Sequence, residues 1–485
     1  MLWWYIIRCV THIKGMNSKY FTKLSQLYRG CDDFRVRTIT NGCDINVVSL
    51  DTMCSVSKIR EFVIEPLICV KAHGLKEILN SISCGITVRE AVSFEQALSD
   101  FTNGYTLVFV DGEDGCICVD TRVETGRSVT EPPTSLVMRG PREGFVEDVK
   151  VNITLLRKRL KTPDFKTVQL NVGRYTDTAV YVCYIEGIAD IQVVEKIVQR
   201  ISAIDIDGVM DSSYLSRYLD PRKTALFYRV GVTEKPDVAV AKMLEGRVSV
   251  VVDGSPMVLT LPYLFIEDLQ SPGDYHESGL VTSVSRLLRF ISVLASVLLP
   301  AVYVCLQKYN YQIIPLKFLI TILNSTQSIP FSPLSEMLMV IIIFDILREA
   351  NLRMPTAVGM SLSLVGAIVL GDAAVKAGLL SAPAVMVGAL SGIGLYTMPE
   401  NTLVLSMLRM AFTYIGGIMG LLGVLLGLLV LLLYMSSVDS FGTPYLAPYA
   451  PSVQKDRQDA VFAKSINDTL QRPDSVPNVN KTRKK

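Results

Sequence analysis

Hydrophobic residues along this chain follow three successive patterns. Over roughly the first 280 positions they alternate in short runs or recur every three or four residues; from about 287 to 435 they are nearly continuous, and beyond that the chain is polar again. Alternation predicts half-buried strands, whereas the longer spacing predicts amphipathic helices. Residues 106–120 (TLVFVDGEDGCICVD) hold two alternating runs around an Asp-Gly-Glu-Asp-Gly turn, which predicts a hairpin. Residues 143–161 carry Phe145, Val149, Ile153, Leu156 and Leu160 at helical spacing. Strands are expected over 167–172 and 179–186, a helix over 191–201, and a second hairpin over 248–261. The joint Glu131-Pro132-Pro133 separates these from the earlier strands, because residues before proline favour extended backbone. The expected fold is an α/β soluble N-terminal region of two small α/β subdomains, followed by an all-α helical transmembrane domain. The boundaries are 1–30 for an N-terminal extension, 31–125 and 126–280 for the subdomains, 281–437 for the membrane helices and 438–485 for a basic tail.

Within the apolar block, residues 287–306 are almost uncharged after Arg289. They suffice to cross roughly 30 Å of hydrocarbon at about 1.5 Å per residue. Further spans are expected at 357–377, 383–398 and 403–435. The last has Arg409 as its only charge and carries Gly416, Gly417, Gly420, Gly423 and Gly427, so it reads as a close-packing helix in one piece or two. Residues 333–352 include Glu336, Asp345, Arg348 and Glu349, which are costly against lipid. That segment is expected to lie at the interface or to re-enter within a bundle. Arg286 and Arg289 precede the first span, and Lys and Arg are frequent after the last. Both ends are therefore expected on the cytoplasmic side, with four spans and one interfacial helix.

Composition changes this picture little. A net charge of +2 gives no basic field, and no nucleic-acid motif is present, so nucleic acid is not an expected partner. The ten cysteines lack paired spacings, which points to free thiols in a reducing compartment. Cys116 and Cys118 would share one side of a strand, but no second pair completes a metal ligand set. Asp205, Asp207 and Asp211 resemble the start of a calcium loop with the glycine, Gly208, misplaced; a turn and helix cap is the expected role. His12, His73 and His276 are isolated, and no nucleophile, phosphate-loop or dinucleotide motif occurs, so neither an enzyme nor a cofactor is expected. Residues 1–10 are apolar without the flanks of a secretory signal, and Met16, which opens a polar segment, is the expected start of translation.

A set of short motifs adds a resemblance. It comprises Glu131-Pro132-Pro133-Thr134, Arg139-Gly140-Pro141-Arg142-Glu143-Gly144-Phe145, Tyr184-Ile185-Glu186-Gly187-Ile188-Ala189-Asp190, Ile204-Asp205-Ile206-Asp207-Gly208 and Leu244-Glu245-Gly246-Arg247. It continues with Gln270-Ser271-Pro272, Leu347-Arg348-Glu349-Ala350, Ser440-Phe441-Gly442-Thr443-Pro444-Tyr445-Leu446-Ala447-Pro448 and Arg472-Pro473. In this order, over this layout, the chain resembles the A subunit of the GerA-type spore germinant receptors and its paralogue, stage V sporulation protein AF. The resemblance implies a protein of the endospore inner membrane that helps break dormancy. It also implies a transporter-like B subunit and a C-subunit lipoprotein as partners, a homo-oligomeric ring, and a path for monovalent cations across membrane lipid. The paralogue would instead be an accessory channel, and a non-conducting membrane scaffold is the reading from a different class.

Two groups of candidate residues follow. Residues 357–377 have small side chains at Gly359, Ser363, Gly366 and Gly371 and end with Asp372 and Lys376, which suits the wall of a narrow, hydrophobically gated pore. Val365 and Val369 are the expected constriction, with Ser363, Gly366 and Asp372 lining; plain helix packing by small residues is the alternative. The resembling proteins carry Gln and Glu where this chain has Asp372 and Lys376, and an acidic residue at the position of Gly273, so ion preference can differ. At the joint, Arg139, Arg142 and Glu143 either form a charged relay between the soluble units or cap the following helix.

Overall fold

The computed structural model of the chain describes residues 18–41, 43–69, 74–82, 85–123, 140–220, 225–327, 329–355, 359, 366, 368–463 and 471–483. In the first unit, β1 (Phe34–Thr40), β2 (Asp44–Leu50), β3 (Val88–Glu90), β4 (Thr106–Val110) and β5 (Ile117–Val119) form an antiparallel sheet in the order β1-β2-β4-β5-β3. The predicted hairpin is β4 with β5, paired from Thr106 to Val119. The helices packed here include α1 (Lys19–Leu27), α2 (Leu75–Ile82) and α3 (Phe94–Thr102). Alternation along each strand decides what each face buries. Val48, Leu50, Leu107, Phe109, Cys116 and Cys118 meet Phe21 and Leu24 of α1 and Phe101 of α3. Ile45, Val47, Val108, Val110, Ile117 and Val119 meet Ile78 of α2 and an irregular helix over residues 56–69. Both faces are thus buried, so the two cysteines are core side chains.

The second unit repeats the plan. Strands β6 (Phe165–Val172), β7 (Thr178–Ile185), β8 (Gly231–Thr233), β9 (Val248–Val252) and β10 (Val258–Leu261) are ordered β6-β7-β9-β10-β8. Helices α4 (Val149–Arg159), α5 (Ile191–Ser202), α6 (Ser212–Leu219) and α7 (Pro236–Leu244) cover it, α4 and α7 on one face and α5 and α6 on the other. The helix expected from residue 143 starts at Val149, because the Asp148 carboxylate accepts from the amides of Lys150 (2.8 Å) and Val151 (3.4 Å). Asn152 then folds back onto Val146, accepting from its amide (2.8 Å) and donating to its carbonyl (2.5 Å), which keeps the preceding residues extended.

The C-terminal part is helical: α8 (Gly279–Lys308), α9 (Leu316–Thr326), α10 (Pro333–Arg353), α11 (Ala382–Leu395) and α12 (Thr402–Ser436). Among the described residues, α8 and the stretch Pro399–Ser436 are long and apolar enough to cross a membrane, while α9 and α11 are apolar but shorter. The expected span at 357–377 lies mostly outside the described residues. α12 is kinked at Gly420, whose φ of +67° interrupts the helical ladder. Carbonyls freed there find partners at the end of α8: Lys308 Nζ donates to Gly417 O (2.7 Å), and the Tyr309 hydroxyl donates to Ile418 O (2.7 Å). Such satisfaction is obligatory in hydrocarbon. α10, expected at an interface or re-entering a bundle, packs among the other helices with Glu336, Met337, Val340 and Ile341 buried.

The described residues beyond α12 pack back on the rest of the molecule. A two-stranded turn, β11 (Asp439–Ser440) with β12 (Thr443–Pro444), is followed by Tyr445, packed with Phe227, Tyr263, Met435 and Val438. Ala460, Val461 and Val476 join Leu264, Leu269 and Leu405 in a further core.

Candidate functional site

Two polar constellations connect the parts of this molecule. The first welds the two α/β units. Asp33, from the segment leading into β1, is buried with Arg157 of α4: Nη2 to Oδ1 is 2.7 Å and Nε to Oδ2 is 2.8 Å. Thr52 and Thr167 hydroxyls donate to the same carboxylate at 2.8 and 2.9 Å. Burial opposes ionisation of Asp33, but the guanidinium and these donors hold its pKa below the usual carboxylate range. Around the pair, the Asp32 amide donates to Thr167 O (2.9 Å), and Lys166 Nζ donates to Leu27 O (2.5 Å).

A second set of charges forms a collar where the second unit meets the helices. Asp274 takes Arg289 (2.6 and 2.7 Å) and Arg286 (3.1 Å), and Arg286 also reaches Asp459 (2.9 Å) and the Ala460 carbonyl (2.7 Å). Burial works against the Asp274 carboxylate, yet the Arg289, Ser271-amide and Arg286 hydrogen bonds keep its pKa low. Glu267, buried, pairs with Lys242 (2.8 Å) and Arg247 (3.1 Å). Next to it Asp268 is different: burial, reinforced by Glu400 and Glu267, pushes its pKa up to about 8 against the hydrogen bond from the Tyr263 hydroxyl (2.5 Å). The tail closes the collar, because Arg472 Nε donates to Leu244 O (2.6 Å) and the Val479 amide to Ile188 O (2.9 Å). Leu244 to Arg247, Gln270 to Pro272, Ser440 to Pro448 and Arg472-Pro473 are far apart in sequence, yet all of these motifs converge on this junction.

Inside the helix bundle lies the third cluster. Arg409 of α12 has a fully buried side chain whose Nη2 donates to Asp345 of α10 at 2.8 Å. Ser406 donates to the other Asp345 oxygen (2.5 Å), and Arg348 stands at 3.4 Å. Arg409 Nη1 donates to the Ser391 hydroxyl of α11 (3.2 Å), which itself donates to Ser296 O of α8 (2.7 Å). Four helices are thereby tied through one guanidinium. Nine residues before Asp345 on α10, the Glu336 carboxylate accepts from the Ser381 amide (2.6 Å) at the start of α11.

The residues singled out from sequence distribute unevenly. Arg139, Ser363 and Val365 lie outside the described residues, and of Val369 only the backbone is described, in a π-helical turn over Val369–Ala373. Gly366 is buried where an added Cβ would meet Leu347 at 3.0 Å, and Asp372 is exposed and paired with Lys376 (2.8 Å). Arg142 is exposed, and Glu143 pairs with Arg159 (2.9 Å) at the far end of α4. The unit-to-unit weld falls to Asp33 and Arg157, which sequence reading missed. Asp345 and Arg348 come together in the bundle, whereas Glu349 pairs with Arg353 (2.7 Å) on the outside. Asp205 pairs with Arg174 (2.6 Å), and Asp211 caps α6 at the Ser213 amide (3.1 Å).

Two α/β units joined by a charged collar to an apolar helix bundle define a protein with a soluble head and membrane-compatible helices. Residues 22–475 match the Bacillus/Clostridium GerA spore germination protein family, and the chain belongs to it. It is 33% identical over 443 residues to spore germination protein KA of Bacillus subtilis (strain 168), covering 90% of this chain and 81% of that protein. Spore germination protein GerQA of Bacillus cereus is 32% identical over 461 residues, 94% of this chain and 92% of that one. A Bacillus subtilis (strain 168) relative described as an uncharacterized membrane protein, YfkQ, is 32% identical over 450 residues, 91% and 87% of the two chains. Among solved structures, the N-terminal domain of the A subunit of the Bacillus megaterium spore germinant receptor GerK3 is 25% identical, covering 52% of this chain and 99% of that one, with a TM-score of 0.40.

Proposed function

We propose that this spore germination protein is the A subunit of a nutrient germinant receptor in the spore inner membrane, and that copies of it assemble to form or gate a path for monovalent cations. The observation that carries the reading is the Arg409–Asp345 pair held inside an apolar bundle. Ionisable groups at such depth are expensive, and they mark ion paths or elements with two alternative arrangements. The collar around Asp274 and Glu267 ties the head to α8 through Arg286 and Arg289, so a change in the head has a mechanical route to the bundle. A transporter-like B subunit and a C-subunit lipoprotein are the proposed partners, and both chain ends face the spore core. Residues Ser363, Val365, Gly366, Val369 and Asp372 remain the proposed wall of the path, with Arg139, Arg142 and Glu143 as a secondary relay at the joint.

The test is reconstitution of the purified full chain, with and without its partner subunits, in liposomes loaded with a monovalent-cation indicator. Flux that depends on assembly supports the receptor channel. Flux by the chain alone, in spores that still answer nutrients after its gene is deleted, points to an accessory channel. No flux in any oligomeric state, with partners added, leaves a scaffold and overturns the proposal.

A further inference from the structure

We propose that the outer face of α6, with Tyr228 beside it, rests on the anionic headgroup surface of the bilayer and fixes the tilt of the head. This rests on the membrane reading above. The end of α6 is tied to the point where α12 leaves its apolar stretch. Asp220, just after α6, pairs with Arg229 at 2.6 Å, and Arg229 donates to the carbonyl of Asp439 (3.2 Å), three residues beyond the last residue of α12. The Leu226 amide donates to the hydroxyl of Tyr434, in the last turn of α12 (2.8 Å). Phe227 is buried against Met435 and Val438 of the same exit, so its neighbour Tyr228 is held at that level while remaining 55% exposed.

What α6 presents outward suits that depth. Ser212, Leu215 and Leu219 face the core, and Tyr214, Arg217 and Tyr218 face out, with Tyr218 half exposed. A tyrosine ring with a polar tip is the side chain favoured at the boundary between hydrocarbon and water. Arg217 supplies the charge that complements anionic lipid. Orientation gives an internal gradient: the start of α6 is bound through Asp211 to Ser255 (2.5 Å), in the β9–β10 turn at the end of the sheet away from the junction. Tyr214 therefore stands further from the bilayer than Tyr218, and Tyr175, beyond the β6–β7 end, further still.

The full chain carrying Trp3→Phe and Trp4→Phe, reconstituted in phosphatidylethanolamine and phosphatidylglycerol vesicles, gives a direct test. Single reporters are introduced as Tyr218→Trp, Tyr228→Trp, Tyr214→Trp, Tyr175→Trp and, on the exposed surface of α12, Leu425→Trp. Leu425→Trp must be quenched by a spin label at the acyl-chain end; if it is not, the membrane reading falls and this inference with it. Given insertion, Tyr218→Trp and Tyr228→Trp should lose about half their emission to a headgroup spin label, Tyr214→Trp less and Tyr175→Trp almost none. Adding Arg217→Glu should reduce the loss at position 218. Equal, negligible quenching at 218, 228 and 175 in a chain whose Leu425 reporter is quenched would overturn the docking while leaving the membrane reading intact.

Discussion

Arg409 and Asp345 stand 64 residues apart in sequence and meet at 2.8 Å inside the helix bundle, where the guanidinium has no solvent exposure. Removing Asp345 strands Arg409 and also takes the partner from Arg348, a loss of about 3–5 kcal/mol; removing Arg409 leaves Asp345 its Arg348 contact and costs less, whereas exchanging the whole cluster for well-packed apolar residues is near neutral. Asp345→Ala alone should therefore lower the unfolding temperature of the detergent-purified chain strongly and Arg409→Met less, and the triple variant Arg409→Met, Asp345→Leu and Arg348→Met, which leaves no member of the cluster unpaired, should recover most of it. If the cluster also gates an ion path, the recovered triple variant should still fail in the flux assay. Recovery of both stability and gating would assign the cluster a packing role only.

The Asp33–Arg157 pair makes a parallel prediction for the head, with a pH signature. Arg157→Met leaves a buried carboxylate facing only Thr52 and Thr167 hydroxyls, and should destabilise by about 3–5 kcal/mol. The folded pKa of Asp33 is depressed, so its contribution is fully present above the unfolded value of about 3.9 and is lost as pH falls through the folded value. Chemical unfolding followed by circular dichroism should show the parent losing stability below about pH 3.9, whereas in Arg157→Met, where burial raises the Asp33 carboxyl unopposed, that acid-induced loss should shrink or reverse. An unchanged acid limb would mean that Asp33 is not ionised in the native head.

Short β-rich apolar runs between turns, together with helical spacing, were enough to read the fold class, because both sheets bury two faces and their central strands are apolar on either side, as in Leu107 and Phe109 on one face and Val108 and Val110 on the other. Helix ends were harder. The start of α4 depends on Asp148 outcompeting the apolar spacing that begins at Phe145, and on Asn152 reaching back to Val146. Long-range polar pairing was not legible at all: Asp33 and Arg157 are 124 residues apart, and neither sits in a motif. Arg409 was visible as the lone charge of a greasy segment, and Asp345 as a misfit in another, but their meeting depends on how α10 and α12 pack. The collar was half visible, since its motifs were recognised one by one and only the fold brings them together.

Asp268 should make the junction less stable as pH rises. Its folded pKa of about 8 exceeds the unfolded value near 3.9, so the folded state binds the extra proton. The associated stability is complete below about pH 3.9 and disappears as pH climbs through about 8. One oxygen, Oδ2, is buried without a hydrogen-bond partner, which is where a proton can sit without displacing the Tyr263 hydroxyl from Oδ1. Asp268→Asn keeps the shape and removes the titration. Thermal unfolding between pH 5 and pH 8 should show a falling midpoint for the parent and a flatter one for Asp268→Asn, and parallel curves would count against a neutral Asp268.

Gly246 is the point at which the tail can be released without touching a charge. Its φ of +106° is a conformation that side chains rarely adopt, and an added Cβ would meet Asn478 Cβ at 2.8 Å and the Pro477 carbonyl at 3.1 Å. Gly246→Ala combines backbone strain with overpacking, a loss of about 1–3 kcal/mol concentrated where residues 476–479 lie on the second unit. The Val479-to-Ile188 and Arg472-to-Leu244 hydrogen bonds should loosen together. Limited proteolysis should then cut the tail of Gly246→Ala faster than that of the parent while the head stays protected. Arg472→Ala should have the same effect from the other side of the contact, and because both changes act on one docked strap, combining them should accelerate cleavage little further.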